Sequence, residues 1–387
     1  MRIYLDNAAT TPVRPEVLEA MLPYFTSVGY NPSSLHAEGQ ASRAALDDAR
    51  ERTAALLGAK PKEIVFTGGG SEADTLAIHG VARATAQRGR RLVTSAVEHH
   101  AVLHAMDALE GEGWEVVRLP VDREGRVAAE AFARALDEQT TLASIMLANN
   151  EIGTIQPVAE LAAIAHEHGV LFHTDAVQAG GQLPIDVREL GVDLLSLSAH
   201  KFCGPKGVGL LYVRRGTPLR PLIYGGGQEY GTRAGTENVA GIVGLARALE
   251  LALADLPKRA ERTAAQRDRL AKGLLELPQT RLLGPPSGPL RLPNNLSLAF
   301  AHVSGEALMI RLDLEGIAVS TGSACASGSL EPSHVVRAIE LEKPYDAGVV
   351  RFSLGRTTQD AEVEQTVRIV TAAVDEMRAD ERASSLR

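Results

Sequence analysis

The stretch Leu194-Leu195-Ser196-Leu197-Ser198-Ala199-His200-Lys201-Phe202-Cys203-Gly204-Pro205-Lys206-Gly207 decides the fold. Its first half is short and apolar enough for a strand buried on both faces. Its second half turns abruptly to small and turn-forming residues, with a lysine directly past the strand. Working outward, the same kind of run recurs at Ile64–Thr67, Leu92–Val97, Leu142–Leu147, Val170–Thr174 and Val208–Val213, alternating with amphipathic helical stretches. That alternation predicts an α/β fold with a parallel sheet clad by helices. Ligands of such sheets sit beyond the carboxyl ends of the strands, so chemistry is to be sought just after each run.

The chain has 387 residues, more than the ~250–300 at which single cores stop growing, so two domains are expected. A helical stretch over Val239–Leu277, broken or kinked near Pro257, leads to the boundary loop Leu283-Gly284-Pro285-Pro286-Ser287-Gly288-Pro289. Beyond it the pattern predicts strands near Asn295–Ala299 and Val349–Ser353, helices around Gly305–Leu314 and His334–Ile339, and a last helix over Ala361–Met377. The polar end Ala379–Arg387 reads as disordered. The expected division is a large domain over 14–255 and a small α+β domain made of 1–13 with 256–387.

A formal net charge of −8 argues against a nucleic-acid surface. No apolar run approaches the ~18–20 residues that span a bilayer. The start, MRIYLDNAATTP, carries no export or transit pattern, so a cytoplasmic protein is expected. The two cysteines, Cys203 and Cys325, lack metal-ligand or CxxC spacing, and no metal site is expected.

Three motifs carry chemistry. Thr67-Gly68-Gly69-Gly70-Ser71-Glu72-Ala73 is a glycine-rich turn that leaves a strand and opens a helix, where free N–H groups and the helix dipole bind phosphate. Alone it also fits a relaxed dinucleotide fingerprint, with Glu98 placed as the ribose-binding acid. Lys201, among apolar neighbours, loses solvation, which favours the neutral amine needed for a Schiff base; Ser198 and His200 beside it could hold a phosphate. Asp175, in Phe172-His173-Thr174-Asp175-Ala176-Val177-Gln178, needs a cationic partner if buried, and the protonated ring nitrogen of pyridoxal phosphate is one. Gln178 follows one turn on if a helix begins there. Singly, these motifs read as a structural turn, an exposed loop lysine and an N-cap. Together, phosphate turn, acid and lysine follow three strands in the order of a pyridoxal-phosphate enzyme, whereas a nicotinamide site leaves Asp175 and Lys201 unexplained.

Here the chain resembles the cysteine desulfurases that feed iron–sulfur assembly, in the class V branch of fold-type I pyridoxal-phosphate transferases. The resemblance runs from Tyr4-Leu5-Asp6-Asn7-Ala8-Ala9-Thr10-Thr11 through Asn149-Asn150-Glu151-Ile152-Gly153 to Arg351-Phe352-Ser353-Leu354-Gly355-Arg356. It implies Lys201 as the lysine that carries the cofactor, Asp175 as partner of the ring nitrogen and Gln178 as partner of the ring hydroxyl. His99 would stack on the ring and shuttle protons. Gly70, Ser71, Ser198 and His200 would hold the phosphate, with Thr236 reaching in from a second subunit of a homodimer. Asn150, at the cofactor, and Arg351 would hold the substrate carboxylate, a task suited to the guanidinium fork.

The most specific resemblance is Ser320-Thr321-Gly322-Ser323-Ala324-Cys325-Ala326-Ser327-Gly328-Ser329-Leu330-Glu331-Pro332-Ser333. Its small residues suit a mobile loop, which Cys325 needs if it is to collect sulfur and carry it away. The implied activity converts L-cysteine to L-alanine and passes a Cys325 persulfide to acceptors such as an iron–sulfur scaffold or a thiolation enzyme. Cys325 could also help a partner ligate a transient iron–sulfur cluster. Alternatives are a selenocysteine lyase, an aminotransferase of the same fold, or a nicotinamide-dependent oxidoreductase. Departures from the family pattern are Ser71 where threonine is frequent, Cys203 where an aromatic is, and Tyr230 and Thr232 at commonly basic positions; the last pair puts dimer-edge contacts in doubt.

Overall fold

A computed structural model describes residues 2–321 and 332–385. A seven-stranded sheet runs in the order Ile64–Thr67, Gly209–Val213, Leu194–Ser198, Leu171–Asp175, Thr140–Ser144, Arg91–Ser95, Glu115–Leu119. The central strands are buried along their lengths, which is why both faces of each run are apolar. Helices clad both faces, and Leu46, Phe132, Leu161, Phe172, Leu210 and Leu245 lie in the largest core.

The sheet is mainly parallel, as expected, with a correction. Gly209–Val213 runs antiparallel to both neighbours. The connection 199–208 holds only the short 3-10 turn Ala199–Lys201, and a parallel return needs a crossover of roughly a dozen or more residues, usually a helix. The strand Glu115–Leu119 was not expected: it lies at the sheet edge, where Glu115 and Arg118 face solvent and hide the apolar signal. The runs Leu92–Val97 and Leu142–Leu147 leave the sheet earlier than expected, at Ser95 and Ser144.

The long helical stretch divides into Val239–Ala254 and Leu256–Leu275, with Asp255 non-helical between them. Pro257 sits in the first turn of the second helix, where its missing N–H costs nothing. A second sheet, three-stranded and antiparallel, has Asn295–Phe300 between Val349–Ser353 and Thr280–Leu283. Ile3–Tyr4 pairs with Ile317–Ala318, and Ile3 and Leu5 pack with Leu270, Leu298, Phe300, Phe352 and Val374 in a separate core. Over 379–385 the expectation of disorder is corrected, because the last helix runs Asp360–Ser385; 386 and 387 lie outside the described residues. Arg378 pins its later turns by donating to the carbonyls of Ala301, Pro278 and Gln279.

Candidate active site

Every strand of the large sheet except Gly209–Val213 points the same way, so Gly68, His99, Asn150 and Lys201 follow, and Asp175 ends, strands that finish on one edge. The Gly68–Gly70 turn opens the helix Gly70–Thr85. Gly70 is confined: a β-carbon there would lie 2.8 Å from Val177 Cγ2 and 3.5 Å from Ser198 Cβ. Glu72 braces the turn, accepting the Gly68 N–H at 2.8 Å and pairing with Arg233. Thr10, the turn residues with exposed Ser71, Ser198, His200 and Lys206 line an open cleft of about 460 Å³.

Lys201 Nζ donates to the carbonyls of Ala8 at 2.6 Å and Ala9 at 2.9 Å. Gln178 Nε2 donates to that same Ala8 carbonyl, from a turn and not from the helix considered for it. The amino-terminal segment thus crosses the site. Thr11 donates its hydroxyl to the His200 carbonyl, and the His200 ring meets Thr10 at 3.1 Å. Burial, with Lys201 and Lys206 nearby, pushes His200 down to about 4.

Asp175 is buried, and its Oδ1 accepts the Val177 N–H at 2.8 Å. Burial pushes this carboxyl up to about 6, while Lys201 draws it back. His99 caps the helix His100–Gly111: its Nδ1 accepts the Ala101 N–H. Burial first, then Lys201 and the neighbouring histidines, push His99 down to about 4, so at neutral pH it is uncharged with its proton on Nε2.

Arg351 is only 2 % exposed, so it is no surface charge. Its guanidinium donates to Asp6 Oδ1 at 2.8 Å and to the Asn150 carbonyl at 3.0 Å, and its Nε has no partner among the described residues. The structure therefore brings Arg351 and Asn150 together. Thr236 is exposed and does not line the cleft in this chain. Cys325 lies outside the described residues. Of the residues flanking that segment, Ser320 exchanges main-chain bonds with Arg351, Ser333 donates to Glu151, and His334 Nε2 meets the Glu98 carbonyl at 2.8 Å.

Glu98 corrects the dinucleotide alternative. Its carboxyl is fully buried, bound by Ser95 Oγ and the Met146 N–H, so it cannot reach a ribose. Cys203 stays structural: its backbone adopts φ 63°, its N–H donates to Thr11 Oγ1 and its carbonyl accepts from Arg14. Sequence reasoning missed Asp6, Thr10, Lys206 and the Ala8 and Ala9 carbonyls. Only Asp6 and Thr10 left a trace, inside the quoted amino-terminal motif.

The donor set suits pyridoxal phosphate on three counts: a glycine turn at a helix start for an anion, a buried carboxyl that needs a cation, and a lysine amine within electrostatic reach of that carboxyl. Among the described residues no cluster of three His, Cys, Asp or Glu is placed to hold a metal, and no helix is long and apolar enough to cross a membrane.

The family model of class-V aminotransferases matches residues 3–366. A cysteine desulfurase IscS of Dictyoglomus turgidum is 51 % identical over 377 residues, covering 97 % of this chain and 95 % of that protein. A cysteine desulfurase NifS of Azotobacter vinelandii is 47 % identical over 380 residues, covering 97 % and 93 %. A solved NifS-like protein superposes with TM-score 0.91 at 39 % identity, covering 97 % of this chain and all of the other.

Proposed function

This chain belongs to the class-V aminotransferase family and to its cysteine desulfurases, and from that premise we infer that it takes the sulfur of L-cysteine, releases L-alanine and holds the sulfur as a persulfide on Cys325. The observation that carries the reading is that Lys201 lies within electrostatic reach of buried Asp175, while Gly70 of the glycine turn packs against Val177, whose N–H binds Asp175. When bound, pyridoxal phosphate supplies an electron sink that acidifies the substrate Cα–H and accepts the charge left as sulfur departs.

The residues divide the work. Gly70, Ser71, Ser198 and His200 would hold the phosphate, with Thr236 supplied by a second copy of the chain. Asp175 would pair with the ring nitrogen and Gln178 with the ring hydroxyl. Lys201 is the covalent anchor and moves the proton at the substrate Cα; the Ala8 and Ala9 carbonyls fix its amine beforehand. His99 would stack on the ring, where its neutral Nε2–H would supply a proton. Asn150 and Arg351 hold the substrate carboxylate, with Asp6 orienting the fork. The Cys325 thiolate attacks the substrate sulfur: the S–S bond forms, the C–S bond breaks, and the carbon takes up a proton to leave as alanine.

The reading extends to a homodimer in the cytoplasm that hands its persulfide to an iron–sulfur scaffold or a thiolation enzyme. The lobes are 14–255 and 1–13 with 256–387; the shared core of Ile3 and Leu5 with Leu270, Phe352 and Val374 supports that division. The test is alanine and sulfide release from L-cysteine by holoenzyme under reducing, anaerobic conditions. Equal amounts are expected. Alanine formed from L-selenocysteine but not L-cysteine, or no alanine with cofactor bound, would overturn the sulfur chemistry.

A further inference from the structure

Behind Asp175 lies a polar chain that none of these roles uses. Asp74, in the first turns of the helix Gly70–Thr85, is 1 % exposed. Its carboxyl faces the Ser196 side chain, while its Oδ1 has no partner among the described residues and stands 3.7 Å from His173 Nε2. His173 is 0 % exposed, bracketed by Ser196 Oγ at 3.0 Å on Nε2 and Ser144 Oγ at 2.8 Å on Nδ1. Ser144, His173 and Ser196 sit on three adjacent strands, and Ser196 is the register partner of Asp175.

Three buried carboxyls, those of Asp74, Glu98 and Asp175, therefore act on one another, with buried His173 beside Asp74 and half-buried Lys201 acting on Asp175. All three cannot be ionised together. Asp175 Oδ1 receives the Val177 N–H, and both Glu98 oxygens receive the Met146 N–H. Asp74 Oδ1 receives nothing from the described residues, which a buried anion tolerates poorly and the carbonyl oxygen of a neutral acid tolerates far better. Burial, then Asp175, raise the Asp74 carboxyl well above the ordinary range, and burial lowers His173 to about 3. A neutral His173 has one donor and one acceptor nitrogen, so the hydroxyls on either side must run in one direction.

We propose that Asp74 carries a proton and gives it to Ser196 Oγ, that Ser196 donates to His173 Nε2 and His173 Nδ1–H to Ser144, and that this chain positions Asp175 as the lone anion under the cofactor ring. Asp74 is thus a positioning residue that acts through Ser196 on the strand beside Asp175. The inference rests on the reading of Asp175 as partner of the ring nitrogen.

The experiment is carbon NMR of holoenzyme isotope-labelled only at the aspartate γ-carbon, so that Glu98 is silent. One aspartate is expected to keep the shift of a protonated carboxyl through neutral pH, and that resonance is absent in Asp74→Asn. The same variant replaces one uncharged group by another, so the pH midpoint of the visible cofactor band stays within a few tenths of a unit. No protonated aspartate at neutral pH, a protonated resonance that survives in Asp74→Asn, or a midpoint displaced by about a unit overturns the proposal. If Asp74→Asn does not fold, Ser196→Ala takes its place: a moved resonance is expected, an unmoved one overturns. Neither readout needs L-cysteine or turnover, so it fails independently of the sulfur chemistry.

Discussion

Replacing Gly70 by alanine separates a cofactor cradle from an ordinary helix start. The new β-carbon would lie 2.8 Å from Val177 Cγ2, against the ~3.5–4.0 Å of a relaxed carbon contact, so one partner must give by ~0.7–1.2 Å. Val177 is β-branched and stiff at χ1, so much of that displacement passes to its backbone. Overpacking of this kind costs ~1–3 kcal/mol, and the helix gains up to ~1 kcal/mol from losing glycine, leaving ~0–3 kcal/mol of destabilisation. The Val177 N–H, however, is the donor to Asp175 Oδ1. Weakening that charge-assisted bond costs ~1.5–3 kcal/mol, equivalent to ~10–100-fold in affinity for a group that faces Asp175. Titrating apoprotein with pyridoxal phosphate and following the visible band measures the affinity, and thermal unfolding of the same apoprotein measures the stability. Weaker cofactor binding with little loss of stability is expected. Wild-type affinity in Gly70→Ala would refute the placement of the cofactor against this turn.

Arg351→Lys keeps the charge but not the fork that reaches both Asp6 and Asn150; KM for L-cysteine should rise ~10–100-fold with a smaller change in kcat, and an unchanged KM removes Arg351 from substrate binding. The Glu98 carboxyl is pushed up to about 8 by burial, so the folded state holds a proton that the unfolded chain releases from pH ~4.5 upward. Its contribution is present below ~4.5 and lost as pH rises through ~8. Glu98→Gln should flatten the fall in unfolding free energy over that window, and parallel pH profiles for the two proteins would contradict a neutral Glu98. Arg50 and Glu229 form a buried pair at 2.6 Å; Arg50→Ala leaves a buried carboxylate and should cost ~3–5 kcal/mol in denaturant unfolding, whereas a loss under ~1 kcal/mol would mean that Glu229 finds other donors.

The strands that the sequence reveals are those it buries on both faces. Leu194–Ser198 and Ile64–Thr67 appear at their predicted bounds because an unbroken apolar run has few other uses. Glu115–Leu119 escaped because an edge strand needs only one apolar face, and its charges mimic a loop. The direction of Gly209–Val213 is set by the length of the connection before it, not by its own residues. In the candidate site, Lys201, Asp175 and Gly70 stood out because each lies at or just past the end of a strand and each residue type has few chemical uses there. Their partners were not. The carbonyls of Ala8 and Ala9 that hold Lys201 come from far along the chain, and a main-chain acceptor leaves no mark in residue type. Asp74 and His173 read as ordinary members of a helix and a strand until the fold sets them beside Ser196.

The most direct measurement is mass analysis of the peptide that contains Cys325 after anaerobic incubation of holoenzyme with one equivalent of L-cysteine, compared with Cys325→Ala. One added sulfur atom on the Cys325 peptide, matched by one alanine per subunit in the wild type and by neither in the variant, is the expected result. Alanine formed at the wild-type rate by Cys325→Ala, or an unmodified Cys325 peptide beside free alanine, would contradict a persulfide at this residue.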